Sequence, residues 1–398
     1  MPEEKTESNF STEPELIATV SSLQELLDQA SGRSYRTDQP QEDAGLVETI
    51  PFPFLALLGQ KEMKLALLLS LVNPLLGGVL LVGPRGTGKT TSVRSVIDLL
   101  PDVRQSLCHY GCLEKDIETG GMDAVCPDCA EKYGQGEPLS KLQGVRLVEL
   151  PLNARLEDVV GGLDPRAEVS DRMRLKRGIL SHADCNLLYV DEVNMLADPV
   201  VDAILDAAAQ GQYTVRRGAV SATYRSDFTL IGSMNPEEGL LRPQIMDRFG
   251  LRVIVKGLEK KEDRLAAYLR TRAYKNNRRG FVQQFAEETQ ALREEIQLGR
   301  NALAEVKLPE EVTDTGLELI RRLEIDSLRA EITLFEAARA YAVADARLEV
   351  TIQDLQAVAP MALRLRRSQF ISDYLSGQVE EDKKLAKVLD EIVPDGGK

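Results

Sequence analysis

Histidine, cysteine and aromatic side chains are scarce in this chain of 398 residues, which has two His, five Cys, no Trp and 5% aromatics in all. Five cysteines are few for a disulfide scaffold of this length, so a reducing compartment is expected. No apolar run approaches the ~20 residues that a membrane span needs. No secretory signal is expected, because "MPEEKTESNFSTEPEL" is acidic and polar where a signal would be basic and then apolar. There is no surplus of basic charge either. The net charge is -14, and phosphate recognition along a nucleic acid or an anionic membrane needs a basic footprint that this balance does not supply. Together these absences predict a soluble, cytoplasmic protein with no nucleic-acid partner and no membrane span.

What is present is an ordinary globular composition, 43% hydrophobic, with length for about two or three domains and no internal repeat. Residues 1–48 are rich in Glu, Ser, Thr, Asp, Gln and Pro and read as an acidic, disordered tail, although "ELIATVSSLQELLDQA" carries a helical spacing. From Pro51 the texture changes. Short apolar runs, "VLLVG" (79–83), "VRLVEL" (145–150), "LLYVDE" (187–192), "FTLIGSMN" (228–235) and "LRVIV" (251–255), alternate with helix-like stretches. Runs of this kind are strands buried on both faces, so the fold class is α/β: a parallel sheet with helices on both sides, over residues 49–258. "YTVRRGAVSATYRSDF" (213–228) alternates around a Gly-containing turn and predicts a β-hairpin. After Gly257 the strands stop, and residues 259–398 read as a smaller all-helical domain.

The stretch "GPRGTGKTT", Gly83 to Thr91, fits G-x-x-x-x-G-K-[ST] with a predicted strand before it and a helical pattern after it. Gly83, Gly86 and Gly88 with the helix start at Lys89, Thr90 and Thr91 would cradle phosphates on backbone N–H groups. Lys89 would neutralise the β and γ groups of ATP, and the Thr90 hydroxyl would ligate Mg2+. In "LLYVDEVN" the apolar residues deliver Asp191 and Glu192 to the C-terminal end of a strand, where open α/β sheets bind ligands. Asp191 would hold the Mg2+ shell and Glu192 would polarise the attacking water. A solvated strand end is the alternative for such a pair on its own. Asn235, ending "FTLIGSMN", is either a γ-phosphate sensor or a turn starter before Pro236. Arg248, in "GLLRPQIMDRFGL", is a candidate cation for the γ-phosphoryl group of a neighbouring molecule. Its alternative is a salt bridge to Asp247 or another surface carboxylate. The trans reading requires head-to-tail contacts, and these close into rings.

The set "GPRGTGKTT", "LLYVDEVNML", "GSMNPEEGLLRPQIMDRFGL" and "SLRAEITLFEAARAYA" resembles the AAA+ ATPase I subunit of magnesium chelatase, over about Phe52 to Arg367. The resemblance implies a homo-oligomeric ring, of hexameric type, working with a second AAA+-containing subunit (D type) and a large porphyrin-binding subunit (H type). Together they insert Mg2+ into protoporphyrin IX for chlorophyll or bacteriochlorophyll. It also implies a role for Arg329, in "SLRAEI", as the sensor-2 arginine, and for the hairpin as the family's insertion before sensor 1. The scarcity of histidine and aromatics accords with the porphyrin chemistry residing on a partner. A MoxR-like AAA+ chaperone or the corresponding subunit of a cobalt chelatase are the alternatives.

Three features depart from the family pattern: the tail before Pro51, Met234 and Leu240, and the segment "CHYGCLEKDIETGGMDAVCPDC" within an insert at 106–135. There Cys108-x3-Cys112 and Cys126-x2-Cys129 approach the spacing of a structural Zn2+ knuckle. A redox pair, Cys126 with Cys129, as suggested by thiol regulation in the family's plant branch, and free thiols are the other readings. His109 could substitute as a ligand, His182 reads as a helix-face residue, and Cys185 as core packing.

Overall fold

All five apolar runs become strands of one sheet, and in doing so they bring the glycine loop, Asp191, Glu192 and Asn235 together around one cavity. The computed structural model describes residues 50–108, 110–163, 175–218, 220–239 and 241–366. The acidic tail with its helical stretch, His109, Leu240 and the chain beyond Arg366 lie outside the described residues. In chain order the strands are β1 (Val79–Val82), β2 (Val103–Ser106), β3 (Ser140–Gln143), β4 (Leu147–Leu150), β5 (Gly161–Leu163), β6 (Leu175–Arg177), β7 (Leu187–Val190), β8 (Gln212–Arg217), β9 (Val220–Arg225), β10 (Thr229–Met234) and β11 (Leu251–Ile254). The helices that matter for the site are α1 (Lys61–Val72), α2 (Lys89–Ser95), α3 (Glu114–Gly120), α4 (Pro127–Gly134), α5 (Leu156–Val160), α6 (Ile179–His182), α7 (Asp198–Gln210) and α8 (Pro243–Arg248).

The main sheet has the order β11-β1-β10-β7-β4, and each neighbouring pair is parallel. Parallel neighbours need crossovers, and crossovers cover both faces with helices. Side chains alternate accordingly. Val79, Leu81, Leu187, Tyr189 and Ile231 face one core, shared with Leu67 and Leu71 of α1. Leu80, Val82, Leu188, Val190 and Leu230 face the other, shared with Val200, Val201 and Ile204 of α7. Residues after 260 are helical among those described, as the loss of strand patterning predicts. Their buried residues, among them Ala330, Leu334 and Leu355, join the same core as Val79, so sheet and helical region share one apolar interior.

Two ribbons escape the sequence pattern. β2 pairs antiparallel with β3, and β5 with β6. "VRQS" and "SKLQ" are too polar to alternate recognisably, and their pairing partners are far along the chain. The predicted hairpin is present as β8 and β9, closed around Gly218 at φ +58°, a value glycine adopts without steric cost.

A buried cluster ties the end of α8 to the helical region. Arg252 is fully buried and donates to the carbonyls of Met246 at 2.8 Å, Phe249 at 3.2 Å and Arg364 at 2.9 Å. With Arg366, it also pairs with Asp247, at 3.5 and 2.7 Å. Burial pushes the Asp247 carboxyl up, but the Ser327 hydroxyl and the charges of Arg366 and Arg252 outweigh it and hold the group below its ordinary range. A depressed carboxylate contributes stability that is present above the unfolded value of about 3.9 and lost as pH falls through the folded value. Asp247→Asn is therefore expected to lower stability by roughly 3 kcal/mol at neutral pH, because two buried guanidinium groups lose their counter-charge. Urea unfolding should show the gap between wild type and variant closing below pH ~4.

Candidate active site

The site begins at the C-terminal end of β1. Gly83 has no room for a side chain, since a Cβ would lie 2.3 Å from the Val255 carbonyl oxygen. Gly86 and Gly88 follow at φ +78° and +89°, and a Cβ at either would meet nothing within 4 Å. The backbone there is bent into a conformation only glycine adopts freely, and it faces open space. Gly88 caps α2, so the helix N-terminus adds its own unpaired N–H groups. The loop from Arg85 to Thr91, with Asp191, Glu192 and Asn235, lines a cavity of about 210 Å³.

Lys89 is buried, and its ammonium is folded back onto the loop, donating to the carbonyls of Gly83 at 2.6 Å and Pro84 at 2.9 Å. Burial lowers its pKa, opposed by the charges of Asp191, Glu192 and Glu238. The Thr90 hydroxyl donates to Asp191 Oδ2 at 3.3 Å, which brings a hydroxyl and a carboxylate oxygen together as a hard divalent cation requires. Asp191 is held from behind: its Oδ1 accepts from the Tyr189 hydroxyl at 2.9 Å and from Ser233 Oγ. Glu192 sits at φ +49°, a strained value for a side chain with a Cβ, and its amide donates to Ser233 Oγ at 3.2 Å. Strain at a cavity wall is a feature of functional positions. Glu192 also pairs with Arg85 at 3.1 Å, and Arg85 in turn with Glu238.

Asn235 starts the turn foreseen for it and stands at the cavity wall. Its Oδ1 accepts from the Glu237 amide at 3.3 Å, capping the short turn that begins at Pro236. Met234 packs in the core beneath it. Arg85, Tyr189 and Ser233 are site residues that motif reasoning passed over. Tyr189 and Ser233 carry a legible signal, since each is a polar group inside an otherwise apolar strand.

Arg248 and Arg329 are not brought to this cavity. Arg248 pairs with Asp206 at 2.8 Å and Asp202 at 3.4 Å, both on α7 of its own chain, and not with Asp247. Arg329 reaches Asp247 at 3.7 Å. Among the described residues, none of the helical region lines the cavity.

The four insert cysteines converge. The Sγ atoms of Cys108, Cys112, Cys126 and Cys129 all lie within 4.8 Å of one another. Cys112 pulls the Cys108 thiol down to about 4, against the effect of burial and with help from the Tyr110 amide. Cys185 is not core packing. It is half-buried at φ +59°, with its Sγ 3.7 Å from Asp184, and burial pushes its thiol up to about 12. His182 ends the short helix α6 as a helix residue, and its carbonyl accepts from Asn186.

This chain matches the family model "Magnesium chelatase, subunit ChlI" over residues 165–242 and "AAA lid domain" over 314–387. It is 40% identical over 333 residues to the magnesium-chelatase 38 kDa subunit of Acidiphilium rubrum, an alignment spanning 83% of this chain and 95% of the relative. The chain belongs to the magnesium-chelatase ChlI family. A ChlI homolog of Methanocaldococcus jannaschii is 38% identical, covering 86% of this chain and 91% of its own length. A putative ATPase from Cytophaga hutchinsonii shares the fold, with TM-score 0.50 at 19% identity over 78% of this chain and 83% of that one. Membership of this AAA+ ATPase family carries with it the use of a nucleotide and Mg2+. The glycine loop and the Thr90–Asp191 pair have the space and the oxygen donors to take them. No helix among the described residues is long and apolar enough to cross a membrane.

Proposed function

We propose that this chain is the ATP-hydrolysing motor subunit of a magnesium chelatase, a cytoplasmic AAA+ ATPase that drives insertion of Mg2+ into protoporphyrin IX in chlorophyll or bacteriochlorophyll synthesis. The observation that carries the reading is the meeting of the glycine loop, Thr90, Asp191, Glu192 and Asn235 around one cavity in a chain of this family. ATP with Mg2+ would supply a reactive phosphoanhydride and the charge that steadies it. The backbone of Arg85 to Thr91 would hold the phosphates, with Lys89 exchanging its two carbonyl partners for phosphate oxygens. Thr90 and Asp191 would hold the Mg2+, Glu192 would accept the proton of the attacking water, and Asn235 would orient that water.

Among the described residues none of the helical region lines the cavity, and Arg248 pairs with Asp202 and Asp206 at the surface. This supports a ring, hexameric in type, in which Arg248 of one copy serves the site of the next. Arg329 is read as the sensor-2 arginine of the same arrangement. A D-type AAA+ subunit and an H-type porphyrin-binding subunit are the proposed partners. Reconstitution with both, followed by ATP-dependent magnesium-protoporphyrin fluorescence, is expected to require this chain. ATP hydrolysis without insertion in the complete mixture would leave the motor and remove the chelatase reading.

A further inference from the structure

The insert between β2 and β3 has almost no apolar interior. Its buried cluster consists of Cys112, Cys129 and Leu139, flanked by Cys108, Ile117, Val125 and Cys126. A module this small needs a staple. Two short structures present the sulfurs. Cys108 and Cys112 flank a turn held by Ser106, whose hydroxyl donates to the Cys112 carbonyl at 2.6 Å and accepts from the Cys108 amide at 3.0 Å. Cys126 caps α4, and Cys129 lies in its first turn. Two main-chain amides already donate to sulfur, Tyr110 to Cys108 at 3.2 Å and Cys126 to Cys112 at 3.4 Å, a pattern that favours thiolate ligands.

We propose that Cys108, Cys112, Cys126 and Cys129 bind one structural Zn2+, and that the closed knuckle braces the β8–β9 hairpin against the sheet. Sulfurs 2.3 Å from a tetrahedral zinc lie about 3.8 Å apart, and Cys108 and Cys126 are at 3.6 Å with the remaining pairs within 4.8 Å. Four thiolates leave no open position, so the site is structural and not catalytic. The brace follows from what the knuckle touches. The Tyr110 carbonyl accepts from the Arg225 amide at 3.4 Å, and the Tyr110 ring stacks on Tyr224 with centroids 5.8 Å apart. Asp116 on α3 pairs with the Arg225 guanidinium at 3.2 Å, which also reaches Asp184, just ahead of β7, at 3.6 Å. The metal would therefore fix the base of the hairpin and, through Asp184, the root of the strand that carries Asp191 and Glu192.

The test uses the full chain purified without a metal-binding tag. Elemental analysis is expected to find one zinc per chain, retained in Lys89→Ala and lost in Cys112→Ser with Cys129→Ser. Because the double variant could misfold, wild-type protein exchanged into Co2+ provides a second reading: thiolate-to-cobalt charge transfer with the visible bands of a tetrahedral site. Hydrogen exchange after chelation is expected to speed up by about tenfold or more across residues 212–225. Wild-type protein without metal, whether its four thiols are free or Cys126 is joined to Cys129 or to Cys108, would overturn the zinc site. Zinc present with unchanged hairpin exchange after its removal would overturn the brace. Neither outcome depends on ATP hydrolysis, so a failed chelatase assay leaves this inference standing.

Discussion

Glu192→Gln is expected to bind ATP with near wild-type affinity and to hydrolyse it roughly 100-fold more slowly, or worse, whereas Lys89→Ala should lose most of its nucleotide affinity. The two side chains line the same cavity, but their work differs. Lys89 is a buried ammonium whose hydrogen bonds among the described residues go to two neutral loop carbonyls, which incoming phosphates can replace. Removing it deletes a counter-charge from ground state and transition state alike. Glu192 contributes a carboxylate held by its strained backbone and the Ser233 contact, and glutamine keeps its shape while losing its basicity. The exchange also breaks the exposed Arg85 pair, which is worth little by itself. Equilibrium binding of a fluorescent ATP analogue beside phosphate release separates the two phenotypes. Equal loss of binding in both variants would sink the assignment of roles.

Arg248→Ala should fold, should bind ATP at its own loop, and should lose hydrolysis by roughly 1,000-fold, the scale expected for a trans arginine. The structure makes the folding half of this secure, since the side chain pairs with Asp202 and Asp206 at the surface and partial exposure limits such pairs to about 1 kcal/mol or less. The decisive measurement mixes Arg248→Ala with Lys89→Ala. One variant is intact at the nucleotide site and the other at the arginine, so some interfaces in a mixed ring contain both. ATPase activity should reappear. Co-assembled but inactive mixtures would mean that Arg248 acts only on Asp202 and Asp206 of its own chain, and the borrowed-cation reading would have to be withdrawn.

Much of the site could be read in advance because its parts are local. A glycine loop, the lysine and threonine after it, and two carboxylates after an apolar run need only a strand and a turn to be placed, and each is contained in a few consecutive residues. The strands could be read for the same reason: burial on both faces leaves an unbroken apolar run whatever the partner. β2 and β3 could not, since "VRQS" and "SKLQ" owe their pairing to an insert between them. The burial of Arg252 was equally hidden, because its acceptors are carbonyls from Met246, Phe249 and Arg364.

By itself the sequence determined the α/β class, the five core strands, the hairpin, the glycine loop and the carboxylate pair that ends β7, all consequences of periodicity or of chemistry confined to neighbours. Only the tertiary structure decided which long-range partners those residues have. It set Tyr189 and Ser233 behind Asp191, turned Arg248 to Asp206 and Arg329 to Asp247, merged the helical region with the sheet's core, and drew four cysteines from two turns into one cluster. The physical reason is that a local pattern specifies which face of an element is buried, while the neighbour it is buried against depends on loop closure and packing over the whole chain.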